Sequence, residues 1–168
     1  DTFSSPPAQH MPMEPHVTMV YLDEHERLNV WTASQSPSYV RTELSATFGI
    51  PMNRIRVRVP YIGGGYGAKL YAKLEPLVTV LALITRKPVR YALTREEEFL
   101  TITKHGVVTK IKTAIKNGAI TARKCEVYWD TGAYAEIGPR IGHKSGYTSA
   151  GPYRIPNVWI DSYCVYTN

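Results

Sequence analysis

Residues 54–69 read RIRVRVPYIGGGYGAK, and the assembly of the whole chain turns on this stretch. Its first half alternates strictly, which predicts a strand with Ile55, Val57 and Val59 on the buried face. Its second half places Gly63, Gly64, Gly65 and Gly67 around a single tyrosine. Glycine at that density lets backbone N–H groups converge on a ligand with no side chains in the way. The stretch therefore predicts a strand that delivers a binding loop.

The flanking sequence supplies partners for that strand. Residues 17–22 are β-prone, Asp23 to Glu26 form a polar turn, and 27–33 return with Leu28, Val30 and Trp31, which together predict a hairpin. Ser36-Pro37 opens a helix, with serine as N-cap and proline in the first turn. Val40, Leu44 and Phe48 follow at four-residue spacing, and Gly49 ends the helix. Beyond the loop, Glu75-Pro76 opens a helix over 77–86 that is apolar nearly all round, so burial is expected. Residues 89–93 alternate as a strand, and Thr94 with Glu97 has the spacing of a capping box.

Residues 107–130 alternate about Asn117-Gly118, a strong hairpin signal because both residues tolerate positive φ. From 131 to 168 the sequence reads as a loop, glycine-rich over 138–151, followed by a terminal strand. Pro6, Pro7, Pro12 and Pro15 keep the lead-in segment, 1–16, extended. No regular βαβ repeat emerges, so the predicted fold class is α+β: a mixed sheet with β-hairpins and two or three packed helices. The chain starts without methionine and ends inside a strand, which reads as an excerpt of a longer domain spanning all of 1–168.

Composition narrows the function classes. The 168 residues are 43% apolar and 20% charged, enough apolar surface to fold as a globule. The longest apolar run, 77–84, is far short of the ~20 residues a membrane span needs. The start DTFSSPPAQH lacks the basic and apolar regions of a signal peptide, so a cytoplasmic location is expected. Two cysteines, Cys125 and Cys164, cannot form a disulfide scaffold, and the five histidines have no metal-ligand spacing. The net charge of +6 is concentrated in Lys104, Lys110, Lys112, Lys116, Arg123 and Lys124, with no acid between Glu98 and Glu126. Without interleaved aromatics this reads as a solvated strand face, and no nucleic-acid partner is expected. A stand-alone module that uses the basic hairpin, 107–124, for an anionic partner is the alternative.

The loop itself admits several readings. A phosphate-binding P-loop requires Gly-Lys-Ser or Gly-Lys-Thr, and Ala68-Lys69-Leu70 fails that test. Gly63, Gly65 and Ala68 satisfy the dinucleotide pattern G-x-G-x-x-A, yet the next helix starts several residues too late to meet a pyrophosphate. A loop whose glycines serve only tight turns would take fewer of them.

RIRVRVPYIGGGYGAK also resembles the strand and glycine loop of the molybdenum-binding large subunit of the xanthine oxidase family, whose usual loop is GGGFGxK. QHMPMEPH at 9–16, WTASQSP at 31–37, RKPVRYALTREEEF at 86–99, DTGAY at 130–134 and YRIPNV at 153–158 are similar to further family landmarks, in the family's order. The resemblance covers nearly the whole chain and implies part of a larger molybdopterin-binding domain. Family members hydroxylate an aldehyde or N-heterocycle with oxygen from water, and the redox step belongs to the cofactor.

By this resemblance Gln35 donates its amide to the apical oxo ligand of molybdenum. Tyr66 and Gly67 present backbone N–H groups from the opposite side, and Gly64 and Gly65 allow the close approach. The alternatives are an ordinary residue before the helix cap for Gln35 and a ring packed on the helix from 77 for Tyr66. Leu70 stands where purine-oxidising relatives carry a glutamate, which disfavours xanthine and suits a less polar substrate or an aldehyde. No side chain needs to ligate the metal. The resemblance implies molybdenum–molybdopterin as cofactor, in its cytosine dinucleotide form if the source is bacterial. It also implies the remainder of the large subunit as partner, with iron–sulfur (2Fe-2S) and FAD subunits or domains. The family's general-base glutamate lies beyond the stretch that 1–168 resembles, so no catalytic residue is assigned here and the isolated chain is expected to be inactive. Glu14, Glu75 and Glu96 to Glu98 read as turn, N-cap and helix-start acids.

Overall fold

The computed structural model describes residues 1–167. In chain order its elements are β1 (Thr2–Ser5), β2 (Val17–Leu22), β3 (Leu28–Thr32), α1 (Pro37–Phe48) and a 3₁₀ turn (Met52–Arg54). There follow β4 (Ile55–Arg58), α2 (Glu75–Thr85), β5 (Val89–Ala92), α3 (Arg95–Thr101), β6 (Gly106–Lys116), β7 (Ala119–Asp130), α4 (Gly138–Thr148) and β8 (Asn157–Val165). They build two mixed four-stranded sheets, an α+β fold as expected. The chain divides into two compact units, Gln9–Thr103 and Asp1–Ala8 with the chain from Lys104 onward.

The Gln9–Thr103 unit carries the sheet β4-β3-β2-β5, in which β2 pairs antiparallel with β3 and β5 while β4 runs parallel to β3. Its register aligns Val20 with Val30 and Val30 with Val57 on the face that packs against α1 and α2. Val40 and Leu44 from α1 and Val78 and Ala82 from α2 complete a core closed around Leu28 and Ile55. The predicted caps are in place. Gly49 takes the left-handed conformation (φ 65°) after α1, and Thr94 and Glu97 form the capping box of α3. Ser36 stands at the N-cap of α1 without a side-chain bond; its own N–H donates to Ser34 Oγ at 3.1 Å.

Two expectations change here. The helix from 77 is not buried all round: Val78, Thr79 and Ala82 face the core, whereas Leu77, Leu81 and Ile84 are 49%, 40% and 73% exposed. A helix laid on one sheet face can bury only one stripe, and composition alone cannot tell which. Glu75 is not a surface cap either. It is buried, accepting from Thr32 Oγ1 at 2.6 Å and from the Lys73 N–H at 2.8 Å.

The second unit carries the sheet β1-β6-β7-β8, with β7 and β8 parallel and the other pairs antiparallel. The β6–β7 hairpin turns at Asn117 (φ 51°) and Gly118 (φ 78°), as predicted. Part of the extended lead-in is in fact a strand, since β1 pairs with β6 from Thr2↔Lys110 to Ser5↔Val107. The glycine-rich stretch expected to be a loop contains α4. Its Gly138, Gly142 and Gly146 recur every four residues and so share one helix face. That face packs closely enough that a Cβ on Gly142 would meet Cys164 Cβ at 3.5 Å, and one on Gly146 would meet Ser162 Cβ at 3.4 Å. Glycine lowers helix propensity, but it permits this approach to β8, and tertiary packing wins.

Candidate functional site

Gln35 and the glycine loop, distant in sequence, meet within the Gln9–Thr103 unit. Gln35 leaves the end of β3 just before α1, and the loop leaves β4, the neighbouring strand. Backbone bonds tie the two segments: the Gln35 N–H donates to the Lys69 carbonyl at 2.8 Å, and Ser34 Oγ donates to the same carbonyl at 3.3 Å. Gln35 Oε1 then accepts from the N–H groups of Gly67 (3.0 Å) and Lys69 (3.3 Å). With the oxygen committed twice, the orientation of the amide plane is set. Its Nε2 hydrogens find no partner among the described residues, and the side chain is exposed.

Gly65 and Gly67 show why the loop's conformation needs glycine. Gly65 is buried under Gln35, where a Cβ would stand 2.6 Å from Gln35 Cδ and 2.9 Å from Cγ. Gly67 has φ 100°, a backbone conformation nearly closed to other residues. Tyr66 also has positive φ (52°), and its ring lies over Gly64 and is 74% exposed. The ring therefore does not pack on α2. Gly67 departs from what the resemblance implies, because its N–H donates to Gln35 rather than facing outward. Leu70 follows at the loop's end, half-buried, beside the edge-to-face pair of Tyr39 and Tyr71 (4.7 Å).

Four ionisable residues that the linear sequence does not connect come together at the loop. Lys69, whose side chain has no exposed surface, donates from Nζ to the Glu14 carbonyl (2.8 Å) and to Glu14 Oε2 (2.9 Å). A buried, paired lysine cannot serve as a phosphate-binding residue. Glu14 Oε2 also accepts from the Gly63 N–H at 2.8 Å, and the Glu14 N–H donates to the Gly63 carbonyl at 3.1 Å. Burial pushes the Glu14 carboxyl upward, but the bonds from Lys69 and Gly63 outweigh it and hold the group below its ordinary value. His16 Nε2 lies 3.1 Å from the Ala68 carbonyl, while its Nδ1 and its backbone N–H both meet Glu98 Oε1, the former at 2.8 Å. Glu98 is fully buried although it belongs to the first turn of α3. Only the cluster MEPH at 13–16 hinted at these roles; the partners lie 55 and 82 residues further along.

The other proposed chemistries find no support in the geometry. No helix opens within the loop; α2 starts at Glu75, which leaves the dinucleotide pattern of Gly63, Gly65 and Ala68 without its helix N-terminus. On the hairpin, Lys110 lies over the Tyr128 ring (5.4 Å) and Lys124 pairs with Glu126 (3.1 Å). The register sets Lys110, Glu126 and Asp161 side by side, so β7 and β8 supply the acids missing from the linear stretch. The sheet thus supplies an acidic partner for part of the basic hairpin, Lys124 being ion-paired with Glu126. Among the described residues, no helix is long and apolar enough to cross a membrane, and no group of three or more His, Cys, Asp or Glu could hold a metal ion.

Comparison with known proteins agrees with the glycine loop. The family profile described as "Molybdopterin cofactor-binding domain" matches residues 1–168. The chain is 35% identical over 170 residues to the nicotinate dehydrogenase large molybdopterin subunit of Eubacterium barkeri, covering all of this chain and 40% of that subunit. Among solved structures, quinoline 2-oxidoreductase from Pseudomonas putida 86 superposes with a TM-score of 0.80 at 29% identity, over 96% of this chain and 22% of that one. The aldehyde oxidoreductase of Desulfovibrio gigas shares the fold, with a TM-score of 0.85 at 22% identity over 96% of this chain and 19% of that one. The chain thus spans less than half the length of each of these relatives.

Proposed function

Because the chain belongs to the molybdopterin cofactor-binding domain family, we propose that it forms one wall of the cofactor site in a molybdenum-dependent hydroxylase. The observation that carries this reading is the Gln35 amide, whose oxygen is held by Gly67 and Lys69 N–H groups while its Nε2 donor remains uncommitted. A neutral amide suits a charged metal–oxo group, since it donates a hydrogen bond without adding charge. The N–H groups of Gly65 and Tyr66 have no partner among the described residues and offer further donors beside it. Gly64 and Gly65 keep side chains out of the cradle, and the Tyr66 ring shields its edge.

When bound, the cofactor supplies the two-electron redox chemistry by which a carbon next to nitrogen or oxygen gains oxygen from water. This chain's part is to orient that group and to limit access of water to it. Leu70 offers no hydrogen bond to a substrate, which favours an aldehyde or a weakly polar N-heterocycle over a purine. The cofactor is the cytosine dinucleotide form if the source is bacterial, and 2Fe-2S and FAD groups in partner subunits or domains carry the electrons onward. The free thiols of Cys125 and Cys164 suit a reducing cytoplasm.

The test is made on the purified enzyme that contains this chain. Molybdenum and pterin are expected in stoichiometric amounts, with anaerobic reduction by an aldehyde or N-heterocycle. Gln35→Leu should slow that reduction by about 10²-fold, the usual cost of one pre-aimed donor, while the pterin is retained. Enzyme without molybdenum and pterin, or Gln35→Leu enzyme reduced at the native rate, would sink the reading.

A further inference from the structure

The segment 14–16 touches both ends of the glycine loop. At the loop's start, Glu14 and Gly63 exchange two hydrogen bonds, one through the Glu14 backbone and one through its carboxylate. At its end, His16 Nε2 meets the Ala68 carbonyl, and the Lys69 ammonium reaches back to Glu14. Segment 14–16 is itself held from behind. Glu98 on α3 binds His16 at both Nδ1 and the backbone N–H, and Gln9 Nε2 donates to the Glu98 carbonyl at 2.6 Å. Arg95 Nη2 donates to the carbonyls of Pro12 (2.8 Å) and Met13 (2.9 Å).

The Lys69–Glu14 ion pair at the loop's end, with the His16–Glu98 contact directly behind it, calls for an explanation. Buried ion pairs contribute little net stability, because desolvation offsets most of the attraction. They do impose geometry, since a displaced partner would leave a charge buried and unpaired. What that geometry sets here is the position of the Gly67 and Lys69 N–H groups, and these fix the Gln35 amide. We propose that Glu14, His16, Lys69 and Glu98 are positioning residues, a hydrogen-bonded clamp that transmits the placement of α3 through the loop to Gln35. The use made of Gln35 rests on the cofactor reading above; the clamp itself does not.

Hydrogen exchange and trans-hydrogen-bond N–C couplings on the full chain read the loop with no cofactor present, so the two ideas can fail separately. The native chain should show a coupling between the Gly67 nitrogen and Gln35 Cδ. Lys69→Met and His16→Phe should each abolish that coupling and lower protection of the Gly67 and residue-69 amides about tenfold, the worth of roughly one hydrogen bond. Val20 and Val30, in the core strands, should keep their protection. Glu14→Gln retains shape without charge and should give a smaller drop, about threefold; should the other variants not fold, this one decides. Loop protection unchanged in the folded variants, a uniform fall that includes Val20 and Val30, or no coupling in the native chain would overturn the clamp.

Discussion

Gly65 lies directly beneath the Gln35 side chain, so closely that a Cβ on it would stand 2.6 Å from Gln35 Cδ. The outcome of Gly65→Ala follows from which partner can yield. Gly65 is buried and tied by its carbonyl to the Ala68 N–H (2.8 Å), whereas the Gln35 side chain is exposed and can swing away. The cost is then the two hydrogen bonds of Gln35 Oε1, about 1–2 kcal/mol, with the fold intact. Urea denaturation should show that small loss while the Gln35 side-chain amide resonances move. A loss above about 4 kcal/mol would mean that the loop, not the glutamine, gives way.

Acid should weaken the chain in two stages. Burial, with the Lys104 charge adding to it and Asp130 opposing, holds the His105 imidazole below its usual value. A depressed base contributes stability above its unfolded value of about 6.5, and that contribution is lost as pH falls. Glu14 is a depressed carboxylate, as are Asp23, Glu97 and Glu126, each held down chiefly by hydrogen bonds. Their stabilisation is complete above about pH 4–5 and is lost on descent through the folded values. Thermal midpoints against pH should decline gently below about pH 6.5 and more steeply below about pH 4. His105→Gln should remove the first decline alone, and an unchanged profile would show that His105 does not titrate differently on folding.

Much of this organisation was legible in local pattern. The alternation at 54–59, the four-residue spacing of Val40, Leu44 and Phe48, and Asn117-Gly118 each describe a structure whose determinants lie within a few residues. The grouping of Gln35 with the glycine loop came from the ordered family landmarks, and the bonds to Gly67 and Lys69 give it a geometry. What local pattern could not convey is pairing across distance. Glu14 is identical in type to any turn glutamate until Lys69, 55 residues later, is folded onto it. Glu98 looks like its neighbours Glu96 and Glu97, and only the register of α3 against His16 buries it. For α4, composition pointed the wrong way, because glycine every fourth residue is a packing surface only when a strand lies beneath.

That packing surface gives a contrast within one helix. Alanine normally stabilises a helix interior relative to glycine by about 1 kcal/mol. At Gly142 the added methyl would meet Cys164 Cβ at 3.5 Å, an ordinary contact, so Gly142→Ala should be neutral or mildly stabilising. At Gly138 the methyl would stand 2.7 Å from Thr131 Cγ2 and 2.9 Å from its Cβ, closer still to Oγ1, and Thr131 is itself buried. Gly138→Ala should therefore cost about 1–3 kcal/mol. Denaturation midpoints for the pair decide it, and equal values would mean that α4 does not pack through its glycines.

The two cysteines of the second unit should react at very different rates. Cys125 is 1% exposed, and burial raises its thiol above the ordinary value despite a hydrogen bond with Ser149 and the nearby charge of Arg123. Both access and thiolate fraction are therefore low, and reaction with a disulfide reagent has to wait for local opening. Cys164 is half-buried, with its sulfur 2.9 Å from Thr131 Oγ1. With Ellman's reagent at pH 8, one thiol per chain should react quickly and the second at least ~100-fold more slowly, both becoming fast in urea. In Cys164→Ser only the slow phase should remain. A fast phase surviving in that variant would place Cys125 at the surface, against its burial in β7.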